Sequence, residues 1–158
     1  MIRKILIVEP DPKLARDMFL LFHFERGRFE RERYEPEVAG SIVEAAERVQ
    51  ATDFHCIIMD VNLPEMNGYD AVSFIKTISK NTPIIVSAEH NSLELETKMR
   101  QQDVYYYHVR SFGQDELRLA VHSVFEELQN VRNTQKLRMK TTTPVVLKQL
   151  HSSLKTEQ

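Results

Sequence analysis

A chain of 158 residues with 42% apolar and 28% charged content is long enough to bury one domain core and carry an appendage. Its net charge of -2 hides an asymmetry, because residues 1–131 hold 22 acids against 15 Lys and Arg while residues 132–158 hold one acid against six. No apolar run approaches the roughly 20 residues that cross a bilayer, and Met1-Ile2-Arg3-Lys4-Ile5 opens no secretory signal, so a cytoplasmic protein without a membrane partner is expected.

The chain alternates short β-branched runs with helix-like stretches. Ile5-Leu6-Ile7-Val8 reads as a strand buried on both faces, followed by a helix over about 13–24. A charged insert, Glu25 to Glu37, comes next, with Arg28, Arg31 and Arg33 among acids. It reads as an extended, solvated edge, with a partner-specific loop as the sharper alternative. A less clean strand over 33–39 leads to a helix over 43–50 that carries Val43, Ala46 and Val49 on one face. Cys56-Ile57-Ile58-Met59 is a third buried strand, and its cysteine reads as a small hydrophobe with no redox or zinc role. A helix over 69–79, a strand at Ile84-Ile85-Val86, a helix over 93–101, a strand over 104–109 and a helix over 115–130 complete the series. Five such alternations predict a doubly wound α/β fold with a parallel sheet.

In that fold the chemistry gathers where strand carboxyl ends open into loops. The residues there are Glu9 and Asp11, then Asp60, then Ser87, then Arg110. Carboxylates beside a hydroxyl and a cation suit a phosphoryl group and Mg²⁺. Asp11-Pro12 ahead of a helix also reads as an N-cap followed by proline at the first helical position.

The run Asp60-Val61-Asn62-Leu63-Pro64-Glu65-Met66-Asn67-Gly68 resembles the phosphoacceptor loop of receiver domains from two-component response regulators, and the resemblance extends over roughly residues 2–130. It implies a flavodoxin-like, five-stranded parallel sheet of order 2-1-3-4-5 with helices on both faces, a receiver domain over 1–130 and a C-terminal extension over 131–158. It further implies that Asp60 accepts a phosphoryl group from a histidine kinase or phosphotransfer protein. Glu9, Asp11, Asp60 and the Asn62 carbonyl would hold Mg²⁺, and Ser87 and Arg110 would contact the phosphoryl group. Ser87 and Tyr107 would act as switch residues, and Asn62 and Glu89 would modulate the phosphorylated state. A downstream protein would read the face formed by the fourth helix, the fifth strand and the last helix. No enzymatic activity is implied beyond the module's own phosphorylation and dephosphorylation.

Three departures from the family pattern fall on the rim. Pro10 replaces one member of the acidic pair, which predicts weak Mg²⁺ binding; Arg110 replaces lysine; and Ser111 replaces proline. If the metal is lost, the same fold would act as a phosphorylation-independent interaction or dimerisation module. The last helix has apolar residues at Leu117, Val121, Val124, Leu128 and Val131, and continuation toward Leu137 and Met139 could extend a dimerising coiled coil. Thr141-Thr142-Thr143-Pro144 is expected to break it, leaving Val145, Val146, Leu147, Leu150 and Leu154 as a short amphipathic set in a basic helical or partly disordered tail. That tail has neither helix-turn-helix length nor zinc-ligand spacing, so direct DNA binding is not expected. A dehalogenase-type phosphatase would need an acid where Asn62 stands, and a dinucleotide-binding enzyme would need glycines where Glu9-Pro10-Asp11-Pro12 stands.

Overall fold

The computed structural model describes residues 1–27 and 32–155, with side chains through residue 140. Its strands are β1 (Ile2–Val8), β2 (Arg33–Ala39), β3 (Cys56–Asp60), β4 (Ile84–Ala88) and β5 (Tyr106–Val109). Its helices are α1 (Pro12–Phe24), α2 (Ile42–Ala51), α3 (Gly68–Ile78), α4 (Leu93–Gln101) and α5 (Gln114–Lys155). The strands form one parallel sheet in the order β2-β1-β3-β4-β5, the expected doubly wound arrangement. Pro36 lacks an N–H for a ladder, and β2 tolerates it because the strand lies at the sheet edge. Two compact units divide the chain, Met1–Val124 and Phe125–Gln158.

Alternation along each strand sorts the core into two layers. Leu6, Val8, Ile57, Met59, Ile84, Val86, Tyr107 and Val109 join the side chains of α2, α3 and α4 in one buried cluster. Ile5, Ile7, Cys56, Ile58 and Ile85 have the opposite parity and are also buried, as are Ala15, Met18 and Phe22 of α1 and Leu117 and Val121 of α5. Cys56 is fully buried, and burial pushes its thiol up to about 12, so it behaves as the small hydrophobe its neighbours suggest.

Three local expectations need correction. Helix α2 buries Ile42, Ala45 and Val49, while Val43 is 62% exposed. The Ser41 side chain accepts the Glu44 N–H, which starts the helix one residue early and rotates its apolar face onto Ile42. The insert is not wholly solvated, since Glu32 is buried in an ion pair with Arg3 at 2.8 Å. Arg3 is itself buried and needs that counter-charge; Arg28 and Arg31 lie outside the described residues. Finally, α5 runs unbroken through Thr141 to Pro144 and ends at Lys155. Proline forfeits one helical hydrogen bond, but its fixed φ is itself helical, so a long helix can carry it at a cost of about 3 kcal/mol. Val131, Leu137 and Met139 are exposed at 55%, 65% and 73%.

Candidate phosphoacceptor site

Asp60 ends the central strand β3, and its position is set from both sides. Its Cα pairs with Ser87 of β4, which in turn pairs with His108 of β5, so the three residues form one row across the sheet. Residues paired in a parallel ladder point to the same face, which here is the one opposite the α2–α4 cluster. Beyond Asp60, the Val61 N–H donates to the Ser87 carbonyl at 3.0 Å, and Asn62 bridges to Asn67. The Asn67 side chain then accepts the Asp70 N–H at 2.9 Å and starts α3. Gly68 is required at this closure, because a Cβ there would lie 2.7 Å from the Val61 Cα and 2.9 Å from its carbonyl oxygen.

Asp60 is 5% exposed, and Arg110 Nη1 donates to its Oδ1 at 3.1 Å. Arg110 opens a 3₁₀ turn through Phe112 that follows β5 directly, and Gly113 closes it with φ +98°. That turn, with Ser111 in place of proline, brings the guanidinium back over the end of the sheet. Glu9 is 2% exposed; its Oε1 accepts the Asp11 N–H at 3.1 Å, and its Oε2 has no hydrogen-bond partner. Burial raises the Glu9 carboxyl to about 7 against the pull of the Asp11 N–H, with Asp60 adding to the rise and Arg110 opposing it.

Asp11 faces another task. Its Oδ1 accepts the Lys13 and Leu14 N–H groups at 2.9 and 3.0 Å and caps α1. Ser87 is fully buried, and its Oγ has no partner. Tyr107 is 7% exposed with an unpartnered hydroxyl, so its ring lies inward on the α4 side, while neighbouring Tyr106 is half-exposed and bonds Glu116. Asn62 and Glu89 are exposed. The structure thus brings Glu9, Asp60, Ser87 and Arg110 to one edge, engages Asp11 at a helix start and leaves Glu89 in solvent beside His90.

Among the described residues no group of three His, Cys, Asp or Glu side chains is arranged to hold a metal ion. Two carboxylates remain, Glu9 with its orphaned Oε2 and Asp60, and that donor set fits Mg²⁺, which takes one or two carboxylates and completes its shell with water and phosphate oxygens. His108 is a site residue that sequence reasoning missed. It is 2% exposed, Nδ1 lacks a hydrogen-bond partner, and burial lowers its pKa below the usual imidazole value. Its signal was parity, since it stands one residue from inward Tyr107 and therefore on the face of Asp60 and Ser87.

A parallel 2-1-3-4-5 sheet with a buried acid at the end of its middle strand defines the CheY-like class of α/β folds. The response regulator receiver domain model matches residues 5–122, and the chain belongs to that family. It is similar to the cell cycle transcriptional regulator CtrA of Caulobacter vibrioides, 28% identical over 72 residues that make up 46% of this chain and 31% of that protein. The chain spans between 21% and 49% of the length of such curated relatives. Among solved structures it is similar to a CheY-like receiver domain protein from Methanospirillum hungatei, with TM-score 0.70 and 20% identity over 82% of this chain and 99% of that one. It is also similar to the response regulator protein TrrA of Thermotoga maritima, solved with Mg²⁺-BeF, with TM-score 0.66 and 21% identity over 77% and 98% of the two chains. These structural likenesses establish the fold, and receiver domains are signalling modules of two-component systems.

Proposed function

We propose that this receiver domain is a phosphoacceptor module in which Asp60 takes a phosphoryl group from a phosphohistidine of a kinase or phosphotransfer protein. The supporting observation is the buried Asp60 carboxylate held by Arg110, with the unpartnered Ser87 hydroxyl in register beside it. In the transfer, an Asp60 oxygen attacks phosphorus, the P–N bond breaks, and the departing imidazole nitrogen takes a proton from solvent. Asp60 then carries an acyl phosphate, Arg110 follows the negative charge onto the phosphoryl oxygens, and Ser87 donates its hydroxyl to one of them. Glu9 and Asp60 would hold Mg²⁺ with the Asn62 carbonyl; the ion, when bound, supplies positive charge at the phosphoryl oxygens.

The signal leaves by a shift of the Ser87 and Tyr107 positions, which a cytoplasmic partner protein reads on the face of α4 and β5. Glu89, in solvent beyond β4, tunes the lifetime of the acyl phosphate. Homodimerisation through the last helix is a further element of this reading. With a small acyl-phosphate donor and Mg²⁺, the protein gains the mass of one phosphoryl group, and Asp60→Ala abolishes the gain. Absence of the adduct on the wild-type chain at saturating donor overturns the reading. It would favour instead the phosphorylation-independent interaction module, to which the capping role of Asp11 points.

A further inference from the structure

Between α1, the ends of β4 and β5, and the start of α5 lies a cavity of about 190 Å³. Two of its lining residues, Ser87 and Arg110, also belong to the Asp60 site. Leu14 and Met18 of α1 and Leu117 of α5 give it apolar walls. Ser87 and His108, 0% and 2% exposed, line it, and both Ser87 Oγ and His108 Nδ1 lack hydrogen-bond partners. Two orphaned polar atoms at such depth are costly unless something meets them.

We infer that this cavity binds a small organic anion, a monocarboxylate with a short apolar body, whose carboxylate meets Arg110, Ser87 and His108. Size supports the assignment, because a cavity of roughly 150 Å³ accepts one benzene-sized molecule. The donors support it as well. Arg110 directs one N–H at Asp60, and its guanidinium carries five in all. Ser87 supplies a hydroxyl, the His108 ring can present an N–H, and α5 begins at the cavity with Gln114. Two acids stand close by, Asp17 on the lining and Glu116 at 4.0 Å from His108 Nδ1. They penalise a dianion more than a monoanion. A ligand here competes with Asp60 for Arg110 and with any phosphoryl group for Ser87, which would couple a small metabolic acid to the signalling site.

The full chain titrated with butyrate tests this, followed by amide NMR and calorimetry, with butyramide as the neutral isostere and inorganic phosphate as a second anion. Saturable butyrate binding is expected, with shifts centred on Ser87, His108 and Gln114, and about tenfold weaker binding of butyramide. Leu14→Phe, which fills the cavity from its half-buried lip, should abolish the binding. Asp60→Ala should retain it, so loss of phosphorylation and loss of this site are read separately. No saturation, shifts confined to the Asp60 loop, equal binding of butyramide, or displacement by phosphate at equal concentration each overturns the inference.

Discussion

The two ends of the sheet treat buried polar side chains differently. Where β1 and β2 begin, the Arg3 guanidinium meets Glu32 at 2.8 Å, and Tyr34 shares a 2.7 Å hydrogen bond with His122 Nδ1. His122 Nε2 lies 3.2 Å from Glu25, which also faces Arg118 at 3.5 Å. Each of these head groups has at least one side-chain partner, although Glu32 Oε2 and Arg118 Nε are left without one. Where β1, β4 and β5 end, Glu9 Oε2, Ser87 Oγ and His108 Nδ1 are buried with none. The difference teaches which end holds the fold and which end is arranged for a visitor. A network of paired charges fixes a loop and a helix against the sheet, whereas side chains whose polar atoms meet no partner carry a standing cost that a bound ion, phosphoryl group or ligand would offset.

The largest effect belongs to the end of paired charges. Arg3→Met should leave Glu32 charged, buried and unpaired, and should lower unfolding stability by about 3–5 kcal/mol in urea titrations. A loss below about 1 kcal/mol would mean that the two ends do not differ in this way.

At the other end removal of charge should help. The native state holds the Glu9 proton more tightly than the unfolded chain, so between about 4.5 and 7 the folded protein binds more protons, and stability falls as pH rises through that window. Glu9→Gln should therefore raise stability at pH 8 by on the order of 1–3 kcal/mol in metal-free buffer, with the gain shrinking toward pH 5. Equal denaturant midpoints for wild type and variant at pH 8 would contradict it.

The smallest effect concerns His108. Its native pKa lies below the unfolded value, so its neutral form contributes stability above about 6.5 that is lost as pH falls. His108→Leu should flatten the pH dependence of stability below about 6.5, and an unchanged slope would place the acid sensitivity elsewhere.

The Asp60 loop was legible in the sequence because its signals are local: a β-branched run, an acid, and an Asn-Gly pair that closes a tight turn. The doubly wound parallel sheet followed from five alternations and its strand order from the family resemblance, and β2 lies where the sequence places it despite Pro36. What local signals did not carry was parity and partnership. Three consecutive tyrosines before His108 hide the alternation of a four-residue strand, so its inward histidine was not singled out. Val43 and Ile42 are equally apolar, and only the Ser41 cap decides which of them faces the core. The Arg110 to Asp60 contact joins residues 50 apart in sequence, and a 3₁₀ turn that no residue pattern announced makes it. Pro144 carried a breaking signal that the helix overrides.

The row Asp60, Ser87, His108 has a further consequence for how such a protein can change. Strand-to-strand spacing, about 4.8 Å, is fixed by peptide hydrogen bonds and is indifferent to side-chain identity. The carboxylate, hydroxyl and imidazole thus occupy three fixed addresses on a backbone grid. New chemistry can be written there letter by letter with no movement of the main chain. Deletion of one residue within β4 would instead turn Ser87 toward the α2–α4 layer and erase the row at a stroke. Drift in such a site is therefore expected as substitutions at set positions, with length changes confined to the loops.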